Sequence, residues 1–425
     1  MACWSITFVY IKLGIRVSYC LFRRNCFLTI AKKWGGISVF LMTLVPAFAD
    51  QFDTVNYIAN AGVNFDDNLF RLPNGADPQI FLGTASKSDL TRSVSLGINI
   101  DKKYSGQEVT LNAIGTNFKH SNFSSLDYTS SSFKGSWNWQ ISSRSSGTLY
   151  VTRAQSLNNP ADTRIYTRNL NTADNIGFNG DWWVDSNWHL LLGVSNGQTT
   201  NSVNTINNLS SHNRTNEWGL KYDPADGKSI TLISRNSRGT NSYPVSNQSD
   251  TGFTEKQTEF RAAWQMTGKS VLSGNLMKID HHNFPFYQLD FAGNQGSLNY
   301  SLAISDKTML NMSLQRSLNS WWDFYSNYYV ADSVSISPRW QIGSKIAMHM
   351  AINRGINDYR GPGVPSEIAR KDITQSVMLG VDWSPQRALT ISAAVQHGKR
   401  SSTPEYFSGF GFDDNTASLS VQAYF

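Results

Sequence analysis

Apolar and polar side chains alternate along short runs spread over most of this chain. Val94, Leu96, Ile98 and Ile100 interleave with Ser95, Gly97, Asn99 and Asp101, and Ile346, Met348, Met350 and Ile352 with Ala347, His349, Ala351 and Asn353. Leu389, Ile391, Ala393 and Val395 repeat the pattern; so do Val377, Leu379, Val381 and Trp383, with Asp382 on the other face. A period of two gives a strand one apolar and one polar face. The last residues, NTASLSVQAYF, set Ala417, Leu419, Val421, Ala423 and Phe425 against Thr416, Ser418, Ser420, Gln422 and Tyr424. A final strand of this kind, ending in Phe, is how outer-membrane barrels commonly finish, so lipid is the expected solvent for half of every strand.

Short turns and longer loops alternate between the runs. Turns are expected near Lys102–Gly106, Gln140–Arg144, Asp185–Asn187, Pro224–Gly227, Thr267–Lys269, Asp306–Lys307, Ile342–Ser344 and Ser384–Arg387. They carry the Gly, Pro, Asp, Asn and Ser that reverse a chain at low cost. Longer connections fall near 66–89, 119–127, 155–173, 197–212, 238–254, 280–293, 319–328, 355–372 and 399–414. Eight turns and nine loops imply about 18 strands (16–18) in an all-β, up-and-down, closed antiparallel transmembrane β-barrel. Long loops on one side and short turns on the other place both termini in the periplasm. Barrels of this size are wide enough for an aqueous bore.

Aromatic spacing supports lipid over a soluble sandwich or propeller. Trp139, Trp183, Tyr222, Trp264, Tyr300, Trp340 and Trp383 recur every 36 to 44 residues, one per hairpin on the short-turn side. That is the expected signature of an interfacial girdle. The mean hydropathy of −0.34 does not argue against it, because every second barrel residue faces a wet lumen.

The first 49 residues have another composition. Lys12, Arg16, Arg23, Arg24, Lys32 and Lys33 precede the apolar stretch Ile37–Val45 and the small-x-small site Ala47-Phe48-Ala49. This reads as a leader, residues 1–49, with a signal peptide cleaved after Ala49, followed by the barrel at 50–425. Without those six bases the 37 basic and 31 acidic residues become 31 of each, so nucleic acid is dropped as a partner. Cys3, Cys20 and Cys26 also lie in the leader, which leaves the barrel without disulfides or thiolate metal sites.

Three stretches carry a family resemblance: FDDNLFRLPNGADP at 65–78, DTRIYTRNLNTADNIGFNGDWWVDSNWHLLLGVS at 162–195, and the closing GFGFDDNTASLSVQAYF. Together they resemble EpsL, the outer-membrane barrel family of exopolysaccharide clusters that accompany exosortase/PEP-CTERM sorting. The sharpest element is NLFRLP, Asn68 to Pro73. The resemblance implies a Gram-negative outer-membrane protein serving biosynthesis or export of a polysaccharide. It brings no catalytic residues and no cofactor.

Candidate sites follow from the expected topology. Phe70 and Arg71 open the first long loop, either as a lumenal constriction whose guanidinium meets sugar hydroxyls, or as packing on the rim. The repeated segment Phe-Asp-Asp-Asn, at 65–68 and 412–415, should meet where the first and last strands pair. Asp66, Asp67, Asp413 and Asp414 would then hold a hard divalent cation, or stand as separate solvated charges. Glu217, Lys221, Glu259, Arg261, Arg339 and Asp382 face the lumen by register, where mixed signs predict pairing across the wall and weak ion selectivity. Trp321, Trp322 and Tyr325 crowd one loop, as a glycan-stacking surface or as part of an upper girdle.

The leading expectation is a passive barrel that passes or anchors an exopolysaccharide, with no cofactor. Its expected partners are outer-membrane lipid, the barrel-assembly machinery reading the strand that ends at Phe425, the glycan and periplasmic export components. A scaffold plugged by its own loops is the structural alternative. A rim hydrolase using His349 or His189 as base is the enzymatic one, although no motif spacing selects a nucleophile for it.

Overall fold

The computed structural model describes residues 54–425 except 160–165, 206, 225, 243–250, 324–325 and 362–368. The leader and its cleavage point lie outside the described residues. The strands are β1 (Val55–Asp66), β2 (Asp89–Tyr104), β3 (Gln107–His120), β4 (Tyr128–Ser142), β5 (Ser145–Leu157) and β6 (Leu170–Trp183). Then come β7 (Trp188–Asn201), β8 (Ser210–Tyr222), β9 (Lys228–Ser242), β10 (Thr251–Thr267), β11 (Ser270–Phe284) and β12 (Phe291–Ser305). The last six are β13 (Thr308–Ser320), β14 (Tyr328–Gln341), β15 (Ile346–Arg360), β16 (Lys371–Gln386), β17 (Leu389–Thr403) and β18 (Phe412–Tyr424).

Each strand pairs antiparallel with its sequence neighbours, and β1 also pairs with β18, so the sheet of 18 strands closes on itself. Closure leaves no strand edge for lipid to meet. Crossing a bilayer takes roughly 9–11 tilted residues. The strands run from 12 to 17 residues, and the surplus carries the wall above the bilayer. On the long-loop side they go further than the sequence pattern suggests. β7, β11 and β15 end at Asn201, Phe284 and Arg360, where loops were expected from 197, 280 and 355.

Residues directly opposed across a ladder share a face. Ala59, Ala61 and Tyr57 oppose Leu96, Val94 and Ile98, and Leu379 opposes Val395. These point outward, with Leu96 at 68% and Leu276 at 70% exposure. Leaving such side chains in water forgoes roughly 1.5–3 kcal/mol each, so this face belongs in hydrocarbon. The inward face is hydroxyl and amide, with cross-strand hydrogen bonds Ser95–Thr116 (2.9 Å), Thr110–Ser136 (2.7 Å) and Thr215–Ser237 (2.8 Å).

The expected girdle stands at Trp139, Tyr222, Trp264, Tyr300, Trp340 and Trp383, with one correction. Trp182, opposed to Leu190, is the outward ring of β6, and its ring lies 6.5 Å from that of Trp139. Trp183 instead opposes the inward His189, with ring centroids 4.7 Å apart. In a run of two tryptophans, a register error of one residue exchanges the faces.

Side-chain burial concentrates at the long-loop end. Phe70, Leu72, Phe123 and Leu126 form one apolar cluster contributed by the first and second long connections. A second joins Ile279, Phe291, Leu318 and Val330, just above the point where the β12–β13 ladder stops at Gly296–Arg316. A short helix, Pro78–Leu82, sits within the first loop, capped by the Asp77 carboxylate and closed by Gly83 at φ 69°.

Candidate functional site

The two FDDN copies do meet at the β1–β18 seam, but an arginine supplies the positive charge there. Arg71 donates to both Asp66 oxygens at 2.9 and 2.8 Å and lies 3.4 Å from Asp414. Asp67 accepts the Asn415 backbone and side-chain N–H groups, each at 2.7 Å. Asp413 accepts from Asn74 Nδ2 at 2.8 Å. Among the described residues no three carboxylates or imidazoles converge as metal ligands. Of the two alternatives for Asp66, Asp67, Asp413 and Asp414, a shared divalent cation or separate charges, the structure shows Arg71 as the positive charge beside Asp66 and Asp414.

Asn68 holds this corner, donating to the Leu72 and Asp413 carbonyls at 3.0 Å each and accepting the Leu72 N–H at 2.8 Å. Phe70 turns away into the apolar cluster, edge-on to Phe123 at 4.8 Å. Neither Phe70 nor Arg71 forms a free constriction. The packing reading of NLFRLP is the one the structure adopts.

From the seam an arginine–aromatic series continues around the mouth. Arg400 lies 4.8 Å over the Phe412 ring and donates to the Phe410 carbonyl at 2.7 Å. Arg370 lies 3.7 Å over Phe410, 4.5 Å over Tyr359 and 5.8 Å over Trp321. It also forks onto Asp372 at 2.9 and 2.5 Å, with the two side chains 1% and 0% exposed. Sequence reading missed Arg370, Asp372 and Arg400, because they stand among ordinary loop-end charges.

Halfway down the bore, the residues read as lumenal do face inward. Glu259 is the hub. It accepts from Arg261 at 2.8 and 2.9 Å, from Asn275 at 2.6 Å and from Arg235 at 2.5 Å. Arg235 also binds Glu217 on the neighbouring strand. Arg235 was not singled out in the sequence, although it sits two residues from the inward Ile233 and Ser237. Lys221 pairs separately with Asp223 at 2.5 Å, and Arg339 reaches Asp382 at 3.5 Å on the far wall. The expected mixed-sign wall pairs are present.

The two histidines considered as a base each lie beside a carboxylate. His349 approaches Asp382 at 3.5 Å, but Ser392 donates to that same carboxylate rather than to the imidazole. His189 is held by Asp181 at 2.7 Å. Among the described residues neither imidazole holds a serine hydroxyl.

A cavity of about 370 Å³ lies under the mouth between the inward faces of β8–β11 and the β13–β14 loop. Trp321, Trp322, Phe253, Glu255 and His281 line it, together with Asn213, Asn241 and Asn283. His281 is fixed by Glu255 at 2.8 Å and stacks between Phe253 and Phe291 at 5.1 and 4.7 Å. Overhead, Asn207 of the β7–β8 loop donates to the Trp322 carbonyl at 3.0 Å and accepts its N–H at 2.7 Å. Those two loops are six strands apart, so the link crosses the mouth. Trp321 and Trp322 thus face the bore rather than an upper girdle. Tyr325 lies outside the described residues. Flat rings with amides and a carboxylate around them suit a polyhydroxylated ligand, which offers C–H faces and many donors and acceptors.

No protein-family model matches this sequence, and no curated protein matches it. Among solved structures, the chain is similar to the outer membrane protein OpdK from Pseudomonas aeruginosa at 12% identity and a TM-score of 0.48, covering 89% of this chain and 100% of that one. The OpdK structure with vanillate gives 11% and 0.49, covering 87% and 99%. The siderophore receptor PirA from Pseudomonas aeruginosa gives 9% and 0.42, covering 88% and 81%. These are distant likenesses of shape.

Proposed function

We propose that this chain is an outer-membrane, porin-like channel whose polar bore passes or holds a polysaccharide. The exopolysaccharide role expected from the sequence is part of this reading. The single observation that carries it is the mouth cavity, where Trp321, Trp322 and Phe253 stand beside Asn213, Asn241 and Glu255. A sugar chain threading the mouth stacks on the rings and exchanges hydrogen bonds with the amides. The Ser, Thr and Asn lining below offers weak, replaceable contacts, so movement needs no cofactor and no chemical step. The barrel-assembly machinery and a periplasmic export component are the proposed protein partners, with both termini on the periplasmic side.

Planar-bilayer recording tests the reading. The refolded barrel should conduct, neutral oligosaccharides should block it transiently, and Trp322→Ala should shorten the blocks. A conducting barrel indifferent to sugars would remove the glycan from the proposal. Deleting the chain from its host should leave polymer in the periplasm. A plugged scaffold is the second reading, favoured by the Asn207–Trp322 link across the mouth. A barrel that never conducts would establish that reading instead.

A further inference from the structure

The walls of β8, β9 and β10 sort their charges by face. Inward stand Glu217, Glu255 and Glu259, answered by Arg235 and Arg261. Outward, toward the long-loop end, stand Arg214, Arg238 and Lys256, and no acid occupies an outward position on these three strands. Arg214 and Arg238 are directly opposed across the β8–β9 ladder, with Asn216 opposed to Asn236 one step below. Like charges placed directly opposite destabilise a sheet unless something neutralises them.

The four residues Arg214, Asn216, Asn236 and Arg238 enclose a recess of about 310 Å³ on the outward face. Arg214 also borders a second recess of about 510 Å³, lined by Leu149, Ile176, Phe178 and Val194. A polar, doubly cationic notch therefore abuts an apolar groove on the lipid side of the barrel. The arrangement also cuts into the greasy band. Between Tyr222 and Asn216 β8 presents outward only Leu220 and Trp218, whereas β15 presents Ile346, Met348, Met350 and Ile352 before Arg354. By contrast Arg316, elsewhere on the outward wall, is neutralised by Asp332 at 2.6 and 2.7 Å.

We propose that this notch binds a phosphorylated, acylated glycolipid of the outer leaflet, with phosphate between Arg214 and Arg238 and an acyl chain along Ile176, Phe178 and Val194. Guanidinium forks match phosphate oxygens bidentately. Asn216 and Asn236 offer amide donors to the sugar or the linking oxygens; Lys256, next along from Asn236, is opposed to Asp280 on β11, so the uncompensated charge of the notch is the Arg214–Arg238 pair. A second copy of this chain fits less well, since a two-fold contact would set the same cations against themselves. The inference rests on residence in the outer membrane. That premise fails separately, if the mature chain stays dissolved without detergent.

The test uses the refolded full-length barrel in detergent, with bisphosphorylated lipid A, its dephosphorylated form and inorganic phosphate as probes in native mass spectrometry and titration calorimetry. The wild type should retain lipid A. Affinity should fall about tenfold or more for the dephosphorylated lipid and for the double variant Arg214→Gln/Arg238→Gln. Lys399→Gln, an outward base opposed to Asp413 on the far side, should bind as wild type. Heat-modifiable migration on gels checks that each variant has folded; if the double variant has not, Arg214→Gln and Arg238→Gln are tested singly, each expected to weaken lipid A binding. Equal lipid binding by wild type and folded variant overturns the proposal. So does free phosphate binding as tightly as the lipid, or a variant that converts an oligomer to monomers while keeping its lipid.

Discussion

The mouth and the middle of the bore both place arginine beside carboxylate, and they use the pair differently. At the mouth Arg370 and Asp372 are sealed from solvent, and the guanidinium is sandwiched by Phe410 and Tyr359. Charge there acts as a fastener: it ties the β15–β16 and β17–β18 connections to Trp321. In the bore Glu259 is nearly buried while its partner Arg261 remains 48% exposed. That cluster keeps one edge on the water path. Burial of both partners, rather than pairing, separates structural charge from charge an ion can feel.

The largest effect should come from breaking the fastener. Arg370→Ala leaves the buried Asp372 without its cation, with the Tyr359 hydroxyl still at 3.3 Å, and should cost about 3–5 kcal/mol, read as a lower unfolding midpoint of the barrel in detergent. An unchanged midpoint would mean that the mouth contacts are not structural. Next, Glu259→Gln strips the hub from Arg235 and Arg261. It should cost about 1.5–3 kcal/mol and shift the zero-current potential toward anion selectivity. If selectivity stays put, the bore cluster is not on the ion path and the contrast with the mouth collapses.

A smaller change sharpens the same contrast at the loop link. Asn207→Ala removes two solvent-exposed hydrogen bonds to Trp322, worth about 0.5 kcal/mol each, and should raise open-channel conductance with little loss of stability. Smallest of all is a pH effect in the β3–β4 connection. The His120 backbone N–H, then the Lys119 ammonium, hold the Asp127 carboxyl below the usual carboxylate range. A depressed carboxyl contributes its stabilisation above the ordinary value and loses it as pH falls through the folded one. Acidification through that window should therefore speed proteolysis of 121–127, and Asp127→Asn should remove the pH dependence.

Much of the barrel was legible because a strand in lipid is simple. Period-2 alternation, turn residues and one ring per hairpin gave the strand number and the inward set Glu217, Glu259, Arg261, Arg339 and Asp382. Errors arose where local pattern is degenerate. Trp182 and Trp183 are chemically the same, so only pairing with Leu190 or His189 separates them. The seam was foreseen from the repeated FDDN, yet its occupant was not, since Arg71 comes five residues after Asp66 and reaches back through a left-handed turn at φ 55°.

The sequence by itself determined the cylinder: which residues meet hydrocarbon, which meet water, and where the chain reverses. These follow from the two-residue period, a property of neighbours along one chain. Only the tertiary structure decided what the long loops do. Asn207 meets Trp322, and Arg370 meets Phe410, because closure of the sheet brings distant connections over one opening. Contacts of that kind depend on three-dimensional proximity, and no local periodicity encodes it.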